Sequence, residues 1–174
     1  SFRLAKDAGA EGMEVMITNS QETFDPRVLD FLSRRFDLPI LSIHAPVLFL
    51  THNVFGYEPA AKLERSAELA RLVGADTVVV HPPFRWQVGY ARNFAHQVRE
   101  VADTYGVRVA VENMFGLCTS NRTFEVYAPA WNPGKLDVPH LTLDFSHAAM
   151  QNVSALSLSR EWGERISHIH LCDG

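Results

Sequence analysis

The sequence has few cysteines, no long apolar run and no strong excess of charge, and each of these shortages excludes a class of protein. Its two cysteines, Cys118 and Cys172, provide neither a disulfide framework nor a CxxC metal site, which fits a reducing cytoplasm. No apolar run approaches the roughly 18 residues of a membrane span, and the N-terminus has no signal-peptide pattern. The net charge of −4 creates no whole-chain attraction for nucleic acid or an anionic membrane. We therefore expect a cytoplasmic protein with neither of these as a partner.

The sequence does contain a regular alternation of strand and helix patterns. Short apolar runs rich in β-branched residues predict six strands, at residues 12–17, 40–44, 77–81, 107–112, 140–144 and 166–171. Helical patterns separate these strands, and Pro59 and Gly74 mark the start and the end of one predicted helix. Strands that alternate with helices predict a parallel sheet covered by helices, so the fold class is α/β.

The length of the chain and its even pattern predict a single domain over residues 1–174. A chain of 174 residues can bury one sizeable core, and no linker or low-complexity segment interrupts it. Residues 115–139 are the exception to the pattern, because they are rich in Pro, Asn and aromatic residues and have little periodicity. We interpret them as a long loop with one short helix.

Five predicted strands end in a polar residue that a buried strand disfavours. These residues are His44, His81, Glu112, Asp144 and His170, with His147 three positions after Asp144. Glu112 and Asp144 each need a cation or donor nearby, because an unpaired buried carboxylate is costly. In a parallel barrel the carboxyl ends of the strands meet at one mouth, so the six side chains would converge. Such nitrogen and oxygen ligands predict a site for a divalent ion such as Zn²⁺, Mn²⁺, Co²⁺, Fe²⁺ or Mg²⁺.

The strand endings also carry a family resemblance. HAP, HPP, VEN, LDFSH and HIHLCDG resemble, in order and spacing, the xylose-isomerase-like barrel superfamily. This superfamily contains sugar isomerases, sugar and sugar-phosphate epimerases, and abasic-site nucleases of the endonuclease IV type. The resemblance covers nearly the whole chain and is closest to bacterial sugar phosphate isomerases/epimerases. It implies a (β/α)₈ TIM barrel, of which this sequence would cover roughly strands two to seven.

The resemblance implies roles for the strand-end residues. Glu112, Asp144 and His170 match the central metal ligands, whose fourth member is a Glu on the last barrel strand, outside this sequence. In an isomerase or epimerase, Glu112 would also be one acid/base, with that last-strand Glu as its partner.

The other three histidines match residues whose roles differ between the two enzyme classes. His44 and His81 match positions that bind a second metal in the endonuclease type, where Glu112 bridges the two ions. His147 matches a third-metal ligand of that type and a substrate-contacting residue of the epimerases.

Three loop residues are candidates for substrate binding. Arg85 could hold a phosphate group and Trp86 could cover the face of a sugar, although a surface Arg and a packed Trp explain them equally well. His52 follows a strand end and could line the mouth, although loop packing is the more common reason for such a residue.

These residues predict a metal-dependent isomerase or epimerase that acts on a sugar or sugar phosphate. A divalent ion would clamp adjacent oxygens while a carboxylate moves a proton beside the carbonyl. The alternative is an endonuclease IV-like phosphodiesterase for abasic DNA, which the net negative charge disfavours. A non-catalytic sugar-binding module is a third reading, but it would not need so dense a ligand set. The sequence leaves open whether the chain forms a homo-oligomer.

Overall fold

The fold is that of a computed structural model, which describes residues 1–47, 51, 53–119 and 122–171. The strands are β1 (Met13–Met16), β2 (Ile40–His44), β3 (Thr77–Val80), β4 (Arg108–Glu112), β5 (Leu117–Thr119), β6 (Arg122–Phe124), β7 (His140–Asp144) and β8 (Ile166–His170). The helices are α1 (Phe2–Asp7), α2 (Pro26–Phe36), α3 (Pro59–Val73), α4 (Val88–Tyr105), α5 (Phe145–Met150) and α6 (Ala155–Trp162). All six predicted strands are confirmed to within one residue at either end.

The described residues form two compact units, of which the first contains residues 1–78 and 101–108. In this unit β1 and β2 pair in parallel, α3 packs against β2, and α2 packs against both α1 and α3. The carboxylate of Asp25 caps α2 by accepting a hydrogen bond from the Arg27 amide. Gly74 ends α3 with a φ of 76°, a conformation that glycine adopts without strain. The start of α3 at Pro59 and its end at Gly74 confirm the sequence signals.

The second unit contains residues 79–100 and 109–174. Here β4 pairs with β7 and β7 pairs with β8, all in parallel, and α6 packs against β7. Every residue of β4 after Arg108 is buried, which explains why this strand is a continuous apolar run until Glu112. The guanidinium of Arg165 donates to the carbonyls of Gly134, Leu136 and Val138 and so ties the start of β8 to the segment before β7. The prediction of a single domain stays a prediction.

The segment 115–139 differs from the predicted long loop with one short helix. It contains the antiparallel hairpin of β5 and β6, and the one helical turn in its described part is the 3-10 segment Pro133–Lys135. The carboxylate of Glu125 accepts hydrogen bonds from the amides of Tyr127 and Trp131 and holds the chain that follows. Strands of three residues are too short to show periodicity in a sequence, so this hairpin was not predictable from pattern.

None of the described helices is both long enough and apolar enough to cross a membrane. The cytoplasmic location stays a prediction.

Candidate metal centre

Three neighbouring strands of the second unit bring their polar last residues to the same end. Glu112 ends β4, Asp144 ends β7 and His170 ends β8, and Asp144 lies opposite His170 in the parallel register. Parallel strands place their carboxyl ends side by side, so an apolar strand with a polar last residue projects that residue at a shared edge. The cluster therefore follows from where each apolar run stops.

Glu112 is the centre of this cluster. Its side chain is only 1% exposed, and its Oε1 atom lies 2.9 Å from Nδ1 of His170 and 3.5 Å from Nδ1 of His147. Its Oε2 atom lies 3.1 Å from Nε2 of His81. The buried carboxylate thus has an imidazole on each of its oxygens, which supplies the polar partners that burial of its charge requires.

The two carboxylate oxygens of Asp144 have different partners. Oδ1 accepts hydrogen bonds from the Ser146 hydroxyl (2.7 Å) and the His147 amide (2.8 Å) and so caps α5. Oδ2 faces the imidazoles, 3.5 Å from Nδ1 of His170 and 3.7 Å from Nδ1 of His147. Burial raises the pKa of Asp144, but hydrogen bonds from His170, the His147 amide and Ser146, with the charge of His147, outweigh burial and lower it.

The donor set fits a divalent metal ion. Glu112, Asp144 and His147 each offer a ligand atom, and these atoms lie within 4.8 Å of one another. Ligand atoms that share one ion at about 2.1 Å lie only slightly more than 3 Å apart, close to the separations in this cluster. Two buried carboxylates with imidazole neighbours suit a borderline ion such as Zn²⁺, Mn²⁺, Co²⁺ or Fe²⁺. Nδ1 of His170 lies 2.9 Å from Oε1 of Glu112 and 3.5 Å from Oδ2 of Asp144, so the predicted set of Glu112, Asp144 and His170 would also fit an ion, and its metal-binding role stays a prediction.

Asn113 is a functional candidate that the sequence analysis missed. It is completely buried, and its side chain hydrogen-bonds both the amide and the carbonyl of Asp144. Its main-chain carbonyl accepts a hydrogen bond from Nδ1 of His147 at 2.8 Å. A buried amide directly after the strand-end Glu112 was the one available signal, but its partners lie some thirty residues away in sequence.

The loop after β3 carries two of the predicted substrate-binding residues. Arg85 is exposed, and its amide donates to the carbonyl of Val126. Trp86 is 60% exposed and stacks on Phe84 with ring centroids 4.5 Å apart, while Phe84 also stacks on Tyr127. Burial, followed by the negative charges of Glu112 and Glu125, raises the pKa of Tyr127 to about 12. The substrate-binding roles of Arg85 and Trp86 stay predictions.

Two predicted site residues are not in this cluster: His44 belongs to the other unit, and His52 lies outside the described residues. His44 belongs to the first unit, where it is buried and its Nδ1 donates to the carbonyl of Ala45 at 3.0 Å. That bond leaves the lone pair of the ring on Nε2, as a ligand or a proton acceptor would need. The metal-binding role of His44 stays a prediction. His52 lies outside the described residues, and its substrate role also stays a prediction.

The chain is similar to known proteins in sequence and in fold. Residues 2–174 match the family described as the xylose isomerase-like TIM barrel. The chain is 39% identical to an uncharacterised protein of Mycobacterium leprae, in an alignment that covers 100% of this chain and 69% of the relative.

Two solved structures are similar in fold at low sequence identity. A D-allulose 3-epimerase from Methylomonas sp., solved in complex with D-allulose, is 14% identical with a TM-score of 0.68, over 97% of this chain and 64% of the epimerase. A family 2 AP endonuclease from Brucella melitensis is 18% identical with a TM-score of 0.67, over 97% of this chain and 70% of the endonuclease. The chain is thus similar in fold to an epimerase and to an endonuclease, the two kinds of enzyme that the sequence suggested.

Proposed function

Because the chain belongs to the xylose isomerase-like TIM barrel family, whose fold the strand endings predicted correctly, we propose that it is a divalent-metal-dependent isomerase or epimerase of a sugar or sugar phosphate. The observation that carries this proposal is the environment of Glu112, a fully buried carboxylate with His170 and His81 on its two oxygens. The similarity in fold to a D-allulose 3-epimerase supports a sugar as the substrate.

Glu112 is the proposed acid/base. Its two oxygens face different partners, so one can remain at the metal side while the other meets the substrate. Glu112 would accept the proton of the carbon beside the sugar carbonyl and return it to the former carbonyl carbon, while the proton of the adjacent hydroxyl passes to the former carbonyl oxygen, which isomerises the sugar. Return of a proton to the opposite face of the same carbon, which epimerises it, needs a second acid/base. The family resemblance assigns that role to a Glu of the last barrel strand.

The remaining cluster residues would hold the metal ion and orient the substrate. A divalent ion bound by Glu112, Asp144 and His170 would polarise the sugar carbonyl and the adjacent hydroxyl. His147 donates its Nδ1 proton to the carbonyl of Asn113, so its Nε2 carries the lone pair and can accept a hydrogen bond from a substrate hydroxyl.

The loop after β3 is the proposed location of the substrate's distal part. The indole of Trp86 has one face on Phe84 and remains 60% exposed, a suitable surface for the apolar face of a sugar. Arg85 beside it would pair with a phosphate if the substrate carries one. A contact of His52 with the substrate also remains part of the proposal.

A specific observation favours the abasic-site nuclease as the second candidate. His81 contacts Oε2 of Glu112 while His170 contacts Oε1, so this carboxylate has ligand-type partners on both sides, as a bridge between two metal ions would require. The similarity in fold to a family 2 AP endonuclease supports the same reading. The net charge of −4 opposes it, because DNA binding depends on neutralising phosphates.

Solvent exchange separates the two candidates. The purified protein, loaded with Mn²⁺ or Co²⁺, is incubated in D₂O with a panel of ketoses, aldoses and their phosphates, and in parallel with an abasic-site duplex. We expect deuterium beside the carbonyl of at least one sugar and no salt-dependent duplex binding at physiological ionic strength. Incision of the duplex without deuterium uptake across the panel would overturn the proposed function in favour of the nuclease.

A further inference from the structure

Asn113 directs all its polar groups at one short segment of the chain. Its main-chain amide donates to the carbonyl of Thr142, and its main-chain carbonyl accepts from Nδ1 of His147. Its side-chain Oδ1 accepts from the amide of Asp144 at 2.7 Å, and Nδ2 donates to the carbonyl of Asp144 at 3.0 Å. Asn113 is completely buried, and these bonds to residues 142–147 join the end of β4 to the start of α5.

The side chain of Asn113 continues the ladder between β4 and β7 beyond its last backbone pair. That ladder ends at the pair Glu112 and Thr142. One residue further, the amide group of Asn113 bonds to both the N–H and the C=O of Asp144, as a paired strand would. The two carboxylates of the cluster, Glu112 and Asp144, are therefore held in a fixed relative register by Asn113.

The same residue determines the tautomer of His147. A main-chain carbonyl can only accept, so the 2.8 Å contact between the Asn113 oxygen and Nδ1 of His147 requires the ring proton on Nδ1. In the neutral ring the lone pair then lies on Nε2. Hydrogen bonds of this type to a carbonyl are the usual means of fixing the orientation of a functional imidazole.

We propose that Asn113 is a positioning residue for the metal centre. It holds the main chain of Asp144 so that Oδ1 caps α5 while Oδ2 faces His170, and its carbonyl keeps the Nε2 lone pair of His147 available. Asn113 contacts neither ion nor substrate in this role. The inference rests on the proposed function for the presence of a metal and extends it to a residue outside the ligand set.

Cobalt binding to purified Asn113→Ala protein tests this role without any sugar. We expect the affinity for Co²⁺ to fall about 10–100-fold, the usual effect of removing a partner that orients metal ligands. The visible absorption of bound Co²⁺ should also change. Asn132→Ala is the matched control, because it removes a capping bond to the amide of Gly134 at the Pro133–Lys135 turn. Its Co²⁺ affinity and spectrum should match those of the wild type.

A second measurement needs no variant of Asn113. Nitrogen NMR of histidine-labelled, metal-free wild type, with the His147 signals assigned through His147→Gln, should show the ring proton on Nδ1.

Asn113→Ser keeps a small polar group and replaces Asn113→Ala in the Co²⁺ experiment if Asn113→Ala does not fold. It should show an intermediate loss of Co²⁺ affinity.

Three results would overturn the inference. They are a ring proton on Nε2 of His147 in the wild type, an unchanged Co²⁺ affinity in a folded Asn113 variant, and an equal loss in Asn132→Ala. A wild type that binds no Co²⁺ would overturn the proposed function as well, so the two failures are distinguishable.

Discussion

Nδ1 of His170 lies 2.9 Å from Oε1 of Glu112, although 58 positions separate the two residues in the sequence. Without a metal, this contact is a hydrogen bond that the imidazole donates to the carboxylate. If Nδ1 were the atom that binds the metal, it would have to give up this proton, because a metal ion needs the lone pair of its ligand nitrogen. The pair therefore connects the ends of β4 and β8, two parallel strands that lie on either side of β7, at the candidate metal centre.

Glu112→Gln should abolish most of the solvent exchange while leaving the fold intact. Glutamine is nearly isosteric but cannot accept the substrate proton, and loss of an acid/base typically costs about 10²–10⁴-fold in rate. Co²⁺ affinity should fall too, because one negative ligand is lost. Glu100→Gln is the control, since Glu100 is an exposed partner of His96 on α4 and should behave as the wild type. Wild-type exchange rates in Glu112→Gln would remove Glu112 from the chemistry.

Metal should stabilise the protein against heat. Glu112 and Asp144 are both buried, and an ion at 100 times its dissociation constant adds about 2.7 kcal/mol to the free energy of unfolding. For a chain of this size that corresponds to a rise in Tm of about 5–11 °C. Differential scanning fluorimetry with Mn²⁺ and with a chelator measures it. Equal Tm values in the wild type under both conditions would contradict the buried ligand set, and Glu112→Gln should show a smaller shift.

Substitution of His44 or His81 separates a one-metal from a two-metal site. For an isomerase or epimerase we expect His81→Ala and His44→Ala to lower turnover while one equivalent of metal remains bound. The physical reason is that Glu112, Asp144 and His170 suffice as protein ligands for one ion. Metal analysis after chelator-free purification gives the stoichiometry. Loss of one of two metal equivalents in either variant would favour the nuclease.

The phenol of Tyr127 should remain protonated in strongly alkaline solution. Burial, with the charges of Glu112 and Glu125, raises its pKa from the usual 10.0 to about 12. The folded state therefore keeps a proton that the unfolded state has lost, so this contribution to stability is complete below pH 10 and declines as pH rises towards 12. Tyrosinate absorbance of the folded wild type and of Tyr127→Phe should coincide at pH 11 and differ in denaturant. A difference in the folded state at pH 11 would contradict the raised pKa.

The strands and the strand-end cluster were predictable because burial is visible in the sequence. A parallel strand covered on both faces is a continuous apolar run, so the end of each run marks where a polar residue such as Glu112 or His170 projects. Short elements were not predictable in this way. The six residues of α5 make fewer than two helical turns, and a three-residue strand alternates only once, so neither forms a clear hydrophobic pattern.

Asn113 shows why positioning residues escape prediction from sequence. Its neighbour Glu112 stands out in the sequence, because a carboxylate at the end of a buried apolar run is costly unless it has a partner. An amide at the same place is unremarkable until the structure shows both of its polar atoms on the main chain of Asp144. The role depends on a contact across the sheet, which local pattern does not contain.

The most direct measurement is a crystal structure of the protein with Mn²⁺, with the ion located by its anomalous scattering. We expect a peak bonded to Glu112, Asp144 and His170, because these residues bring two carboxylates and an imidazole to adjacent strand ends. The same crystals of Glu112→Gln should show a weaker peak at that position. A peak elsewhere, or none with Mn²⁺ in excess over the wild type, would contradict the metal centre and the chemistry proposed for it.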